Sequence, residues 1–483
     1  MASLSSVGVS GTGLDESVIT KLVALEKQPA DALSTKNTTL QTKVSTWGKI
    51  QSAFSSLKDA ANKLTQSDFW NGTTATSSND TAVSVSTTSS AAPSSYAVTV
   101  SQLAQGQMVA SSAFTSKTAA VGEGTLRIQL GTYVTDNSVA PPAVTFNAKA
   151  AASAVDISIG PGDNTLEKIR DRINSSNAGI TASIVNDASG SRLVMRGANG
   201  ETNAFKVSVT ENGAVPGLSA LAYDGTTGGT STMTRTQAAQ NAKATINGLD
   251  VASESNTLSD VMDGVSITLK QTTAANTPAN ITVAKDTASI SKGVSDFISS
   301  YNNVISTIRV QTLYDEASKT AGPLQGDSTA RGLLSQMRNL ITSDSTATAS
   351  FSRLFDMGIV TNTDGTLKMT SSKFNDAMGS KLADMQKYFA NSDDVVAAKN
   401  GMGQRIKNIA SQILDTNGAI ANSTDGLKAT IKRNTTKIDS INTRASLYET
   451  RLRQQYTALD ASYSKLSGLQ SYVTAQLAAL NKS

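Results

Sequence analysis

Toward both of its ends this chain places an apolar residue every three or four positions, and in between it places one every second position. A stripe stepping by three and four can be buried only along one side of an α-helix, and one stepping by two only on one face of a β-strand. The longest helical run is Leu33, Leu40, Val44, Trp47, Ile50, Phe54, Leu57 and Leu64, which apart from skipped positions is a coiled-coil seam. At ~1.5 Å per residue this helix is roughly 45–50 Å long, more than a small domain can cover. Its seam needs a partner, and the other end of the chain offers one. Ile438, Ile441, Ala445, Tyr448, Leu452, Leu459, Tyr463, Leu466, Val473, Leu477 and Leu480 keep the same rhythm. Lys437, Asp439, Arg444, Glu449 and Arg453 lie off that stripe.

A shorter helix is expected ahead of the first seam. Asp15 and Glu16 suit its N-terminus, Lys27 its C-terminus, and Pro29 follows as a stop. Its apolar face reads Leu14, Val18, Leu22 and Leu25. A third periodic segment, Ile290, Val294, Phe297, Tyr301, Val304 and Ile308, reads as part of an ordinary intramolecular bundle. A helix around Leu333, Leu334, Met337 and Leu340 is expected to be capped by Ser328.

Over residues 73–286 the period changes to two. Val83 and Val85, Tyr96 to Val100, Leu126 to Leu130, Val155 to Ile159 and Val265 to Leu269 each alternate with polar neighbours, the mark of strands with one wet face. Asn247-Gly248 between Ile246 and Leu249 signals a tight hairpin, and residues 179–196 read as another, turning at 186–191. One helix interrupts the strands, with Asn164 as its cap and Leu166, Ile169 and Ile173 as its stripe. Asn256-Thr257-Leu258 followed by Val261 echoes that pattern, as if a unit were repeated.

The expected fold class is therefore α+β and multidomain: a long coiled-coil-like helical leg from both chain termini, with two inserted β-rich domains. The boundaries read as 1–40 with 440–483 for a terminal helical segment and 41–72 with 285–439 for a helical leg. Residues 73–115 with 235–284 form an inner β-rich domain, and 116–234 an outer one.

Composition narrows the chemistry. Hydrophobic residues are 39% and aromatics 5%, so the cores are thin and built from small side chains. The chain has no cysteine, which excludes disulfides, thiolate metal sites and cysteine nucleophiles, and no histidine, the commonest general base and metal ligand. Basic residues number 42 against 38 acidic, without a clustered run, so no strong field draws nucleic acid or anionic lipid. No apolar run is long enough to span a membrane. The first thirty residues lack the pattern of a cleaved secretory signal.

Ser-x-x-Lys at Ser55–Lys58, Ser289–Lys292 and Ser462–Lys465 suggests a serine–lysine nucleophile, the one enzymatic alternative. All three fall in expected helices, without companion motifs, in a Ser- and Lys-rich chain. Gly11-Thr12-Gly13 lacks the third glycine and the preceding strand of a dinucleotide loop, and Asp393-Asp394 lacks the spaced ligands of a calcium loop. No catalytic residue, cofactor or metal site is expected.

Several segments in order resemble one family. These are VGVSGTGLDESVITKLVALEKQP, SSYAVTVSQLAQGQ, VGEGTLRIQLG, NTLEKIRDRINSSNAGITASIVNDASGSRLVMRG, AKATINGLDVASESNTLSDVMDGVSITLK, DFISSYNNVISTI, GPLQGDSTARGLL, GIVTNTDGTLKM and RLRQQYTALDASYSKLSGLQSYVTAQLAAL. Together they are similar to the cap proteins of the bacterial flagellar filament, the hook-associated proteins of its tip. The resemblance implies legs made of terminal helices and a plate made of two β-rich domains. It also implies self-association, often as a pentamer, contact with flagellin and the filament tip, an export chaperone, and an extracellular location reached through the flagellar export channel without a cleaved signal. Leu14, Val18, Leu22, Leu25, Tyr448, Leu452, Leu459, Val473, Leu477 and Leu480 are the expected assembly or filament-docking residues. The rival from another class is an adhesin binding host glycans or mucin through its β-domains. Flagellin or a hook–filament junction protein is a structural rival.

Overall fold

Where the apolar period is helical, the chain forms helices far longer than the sequence boundaries suggested. The computed structural model describes residues 16–480 apart from 276 and 318. In chain order the helices are α1 (Glu16–Leu64), α2 (Ser67–Asn71), α3 (Leu166–Ser175), α4 (Thr287–Thr312), α5 (Ser328–Thr342), α6 (Ser371–Ala390), α7 (Met402–Leu414) and α8 (Ala419–Leu480). The chain divides into a helical unit, residues 1–70 with 287–483, and a β unit, residues 71–286.

In the helical unit, Trp47, Ile50, Phe54, Leu57 and Leu64 of α1 are buried against Ile290, Val294, Phe297, Tyr301, Val304 and Ile308 of α4 and against α6 and α7. Each such side chain contributes roughly 1.5–3 kcal/mol. The Trp70 indole N–H donates to the Leu64 carbonyl at 2.8 Å, using an orphan acceptor at the end of α1, and its ring stacks on Phe389 at 5.5 Å.

Pro29 does not stop the first helix. It lies inside α1, which is continuous from Glu16 to Leu64. Proline removes one N–H bond and costs ~3 kcal/mol in a helix interior. Here Val23 and Ala30, on either side, are buried, and Leu25, whose carbonyl loses its donor, is an exposed residue. The cap of α5 is Asp327, one residue earlier than expected; its Oδ1 accepts from the backbone N–H of Thr329 (2.9 Å) and Ala330 (3.1 Å). A carboxylate there also complements the helix dipole, which the Ser328 hydroxyl cannot.

The β unit contains two cores. Three strands come first, β1 (Thr73–Ser77), β2 (Val83–Thr87) and β3 (Ser94–Gln102). The chain then crosses into eight more: β4 (Gly106–Ala110), β5 (Gly124–Asp136), β6 (Ala143–Ala148), β7 (Val155–Ile159), β8 (Ile180–Asp187), β9 (Gly190–Asn199), β10 (Ala204–Glu211) and β11 (Thr234–Gln237). It returns through β12 (Ala242–Ile246), β13 (Leu249–Ser253), β14 (Thr257–Met262), β15 (Val265–Leu269) and β16 (Ala279–Lys285). The first and last groups make the sheets β1-β16-β3-β12-β13 and β14-β15-β2, around Val83, Val98, Ile267 and Ile281. The middle group makes β10-β5-β6, with β7 also on β5, and β11-β4-β9-β8, around Leu126, Ile128, Leu193, Met195 and Phe205. All of these pairings are antiparallel.

Both expected hairpins form. Asn247 (φ 50°) and Gly248 (φ 83°) turn β12 into β13 with Ile246 opposite Leu249, and β8 turns into β9 with Asp187 opposite Gly190. The positive φ at both central residues is what an Asn-Gly pair tolerates best. Two local expectations fail. Thr165, not Asn164, is the N-cap of α3, because the Asn164 amide turns away to donate to Glu123 at 3.4 Å. The echo at Asn256 is no helix: residues 257–262 are β14, paired with β15, while the Asn256 side chain bonds both the N–H and the C=O of Ala104 at 2.7 and 2.9 Å.

Candidate assembly surface on the paired chain-end helices

The α1–α8 seam is built from Ile19, Val23, Ala445 and Leu452, with Leu22, Tyr448 and Tyr456 packed at its edge. Small and β-branched side chains at these positions let the two helices approach closely. Arg453 joins both helices, donating to Glu16 Oε2 at 3.0 Å and to Glu449 at 2.9 Å, and these carboxylates push its pKa further up, Glu16 first. Arg444 donates to Glu26 at 2.6 Å. These partly exposed pairs orient the helices more than they stabilise them, each being worth ~0–1 kcal/mol.

Deeper along the pair a polar contact interrupts the seam. Asn37 and Asn434 are buried, and the Asn434 amide donates to Asn37 Oδ1 at 2.9 Å. The Asn37 amide reaches Thr435 Oγ1 at 3.4 Å. A buried amide pair is satisfied in one register only, so it specifies alignment at some cost in stability.

Beyond Tyr456 the seam continues, but among the described residues its cover does not. Ala445, Leu452, Leu459, Leu466 and Val473 follow one another at intervals of seven, and among the described residues only the first two are buried. Leu459 is 47% exposed, Leu466 69%, Val473 47% and Leu477 58%, with Tyr463, Leu469 and Tyr472 also open. From 457 to 480 this face is roughly 35 Å long. A strict seven-residue apolar repeat is the signature of a helix meeting other helices.

The expected docking residues therefore separate. Leu14 lies outside the described residues, and of the Leu480 side chain nothing is described. Val18, Leu22 and Tyr448 are half-buried, and Leu452 is buried in the α1–α8 seam. Leu25 is 61% exposed, so the stripe Val18–Leu22–Leu25 is not the face that α1 buries. That face is Ile19, Val23 and Ala30, and its signal in the sequence was the spacing of four and seven. Ile19, Val23, Asn37 and Asn434 were not singled out from the sequence.

In two of the Ser-x-x-Lys pairs one member is engaged elsewhere. Lys292 is held by Asp296 at 2.8 Å, and the Ser462 hydroxyl donates to the Ala458 carbonyl at 2.9 Å. Among the described residues no group of three or more acidic side chains is placed to hold a metal, and no helix is long and apolar enough to cross a membrane.

Known proteins share this organisation. Residues 12–107 match the flagellar hook-associated protein 2 N-terminus family and residues 239–468 its C-terminus family, and residues 143–199, which contain β6 to β9, match the flagellin hook IN motif. B-type flagellar hook-associated protein 2 of Pseudomonas aeruginosa PAO1 is 30% identical over 98% of both chains. Flagellar hook-associated protein 2 of Salmonella typhimurium LT2 is 30% identical over the full length of both. In structure, the D1-D2-D3 domains of the flagellar cap protein FliD from Escherichia coli superpose with a TM-score of 0.63 at 28% identity, covering 79% of this chain and 99% of that one. Two terminal family matches, full-length relatives and a shared fold lead to one conclusion: this chain belongs to the flagellar hook-associated protein 2 family.

Proposed function

We propose that this protein caps the distal end of the bacterial flagellar filament, retaining exported flagellin there and promoting its folding and polymerisation. The observation that carries this reading is the uncovered heptad face of α8, in a chain of the hook-associated protein 2 family with a solved relative described as a flagellar cap protein. Covering each exposed Leu or Val of that face is worth roughly 1.5–3 kcal/mol, so the free subunit holds binding energy that only assembly releases. Residues 1–40 with 440–483 serve as the docking segment, 41–72 with 285–439 as the leg. Strands β1–β3 with β12–β16 serve as the inner plate and β4–β11 as the outer one, so β4 and β11 move from the inner domain expected from the sequence to the outer one. Copies associate into a ring, five in this reading, outside the cell at the filament tip, and an export chaperone shields the apolar ends beforehand. The work is done by binding and exclusion, without bond chemistry: flagellin emerging beneath the plate stays concentrated until it docks.

A clean deletion strain tests this. It should make and export flagellin yet shed it into the medium as monomer, and the wild-type gene should restore filaments. Leu459→Asp with Leu477→Asp, both exposed and so harmless to the fold, should fail to restore them. Normal filaments in the deletion strain would overturn the capping role. Full rescue by the double variant would remove α8 as the docking face.

A further inference from the structure

The two ion pairs that bridge α1 and α8 lie on opposite sides of the pair and allow its exposed positions to be sorted. Arg444–Glu26 marks one side, and Arg453 with Glu16 and Glu449 marks the other. In an antiparallel helix pair, positions stepping by three and four along a flank stay on one side. On the Arg444 side, α8 presents Arg433, Lys437, Arg444, Leu447 and Arg451, all exposed. Beside them α1 presents the stripe at the edge of the α1–α8 seam, Val18 and Leu22 half-buried and Leu25 exposed. The opposite flank of α8 reads Asp439, Asn442, Ser446, Glu449 and Arg453, which is polar and slightly acidic.

The Arg444 side is thus basic and apolar at once. Leu25 is 61% exposed and Leu447 68%. The Glu26 contact places them at about the same height along the pair, three residues from Arg444 and one from Glu26. Among the described residues no carboxylate stands within ion-pair distance of Arg433, Lys437 or Arg451. Arg433 donates to the Thr430 hydroxyl at 2.9 Å, and Arg451 lies over the Tyr448 ring at 5.4 Å.

We propose that this side receives a third helix from a partner: an amphipathic α-helix whose apolar stripe is bordered by carboxylates. The leucines supply contact area that is unspecific for sequence, and the unpaired cations select an acidic border and repel a basic one. From Arg433 to Arg451 the basic row is roughly 27 Å long, enough for about five helical turns. This surface is separate from the uncovered heptad face beyond Tyr456, and the partner it selects is defined by charge as well as by apolarity.

The test uses full-length protein and a fluorescent helical peptide of about 21 residues, with leucine at its seam positions and glutamate on both borders. Controls are the same peptide with lysine borders and a shuffled acidic peptide of identical composition. Anisotropy should show binding of the acidic helix that weakens as salt rises, binding of the shuffled peptide weaker by about tenfold or more, and no binding of the lysine helix. Arg433→Glu, Lys437→Glu and Arg451→Glu together should transfer the preference to the lysine helix, a gain that unfolding cannot mimic. Leu25→Ser with Leu447→Ser should weaken binding by about tenfold or more with helical content unchanged. The proposal is overturned if the acidic helix fails to bind, if the shuffled peptide binds equally well, or if charge reversal leaves the preference where it was. Leu459→Asp with Leu477→Asp should bind the acidic helix like the wild type, so this proposal and the capping role stand or fall separately.

Discussion

Replacing the buried amide pair of the α1–α8 seam should destabilise the protein when one partner is changed and stabilise it when both are. In Asn434→Ala, the Asn37 carbonyl loses its 2.9 Å donor at a site where Asn37 is only 8% exposed. Losing the bond costs about 1 kcal/mol, and leaving a buried acceptor unpaired adds about 1–2, so the helical unit should lose about 2–3 kcal/mol. Asn37→Leu strands the Asn434 amide in the same way and should cost a similar amount. With Asn37→Leu and Asn434→Leu together no polar group is left behind and two seam positions become apolar, so stability should equal or exceed the wild type by about 1–2 kcal/mol. With Asn434→Leu, which strands Asn37 in the same way, as the matching single variant, the coupling between the two sites is above about 3 kcal/mol, larger than most contact pairs give. Urea unfolding followed by tryptophan fluorescence is the assay, because both tryptophans of the chain, Trp47 and Trp70, are buried in the helical unit. The double variant should also lose register fidelity, read as mixed cross-links between single cysteines placed on α1 and α8 in a chain that has none of its own. Additive destabilisation in the double variant, or an Asn434→Ala curve within about 0.5 kcal/mol of wild type, would refute the argument.

Phe297→Ala should cost about 3–5 kcal/mol, since the side chain is fully buried and meets Phe389 edge-on at 6.2 Å; calorimetry should show the helical unit melting earlier and the β unit unchanged. Acid should weaken the helical unit through Asp384, whose carboxyl is held below its ordinary value of 3.8 by the Ser350 hydroxyl first and Thr348 next. A lowered folded-state pKa means that this contribution is intact above about pH 4–5 and is lost as pH falls through the folded value, so the urea midpoint should stay level down to pH ~5 and then drop, and less steeply in Ser350→Ala. Ser55→Ala, Ser289→Ala and Ser462→Ala should each leave filament growth intact in a complemented deletion strain; loss of growth from any one of them, with the fold preserved, would revive a serine–lysine enzyme.

Much of this protein is local and was readable residue by residue. The seam of α4 is buried as its spacing requires, the stripe of α3 is fully covered, and Asn247-Gly248 makes the turn that its backbone preferences favour. Such features follow from periods and torsional preferences that a short segment carries within itself. Other choices depended on what lies across the interface. The first turns of α1 carry two stripes, and the more apolar one, Val18–Leu22–Leu25, stays at the edge. The less apolar one, Ile19–Val23–Glu26–Ala30, is drawn in because Ala30 permits close approach and Glu26 reaches Arg444. Pro29 should have ended that helix on propensity alone, and packing on α8 carried it through. The segment at Asn256 became a strand because β15 was there to pair with it. The sequence by itself determined which segments are helical or extended and where most of them turn, since those are properties of neighbouring residues. The tertiary structure alone decided which stripe faces inward, which register prevails and where a seam runs out of partner, because each of these compares alternatives whose energies are set by residues hundreds of positions away.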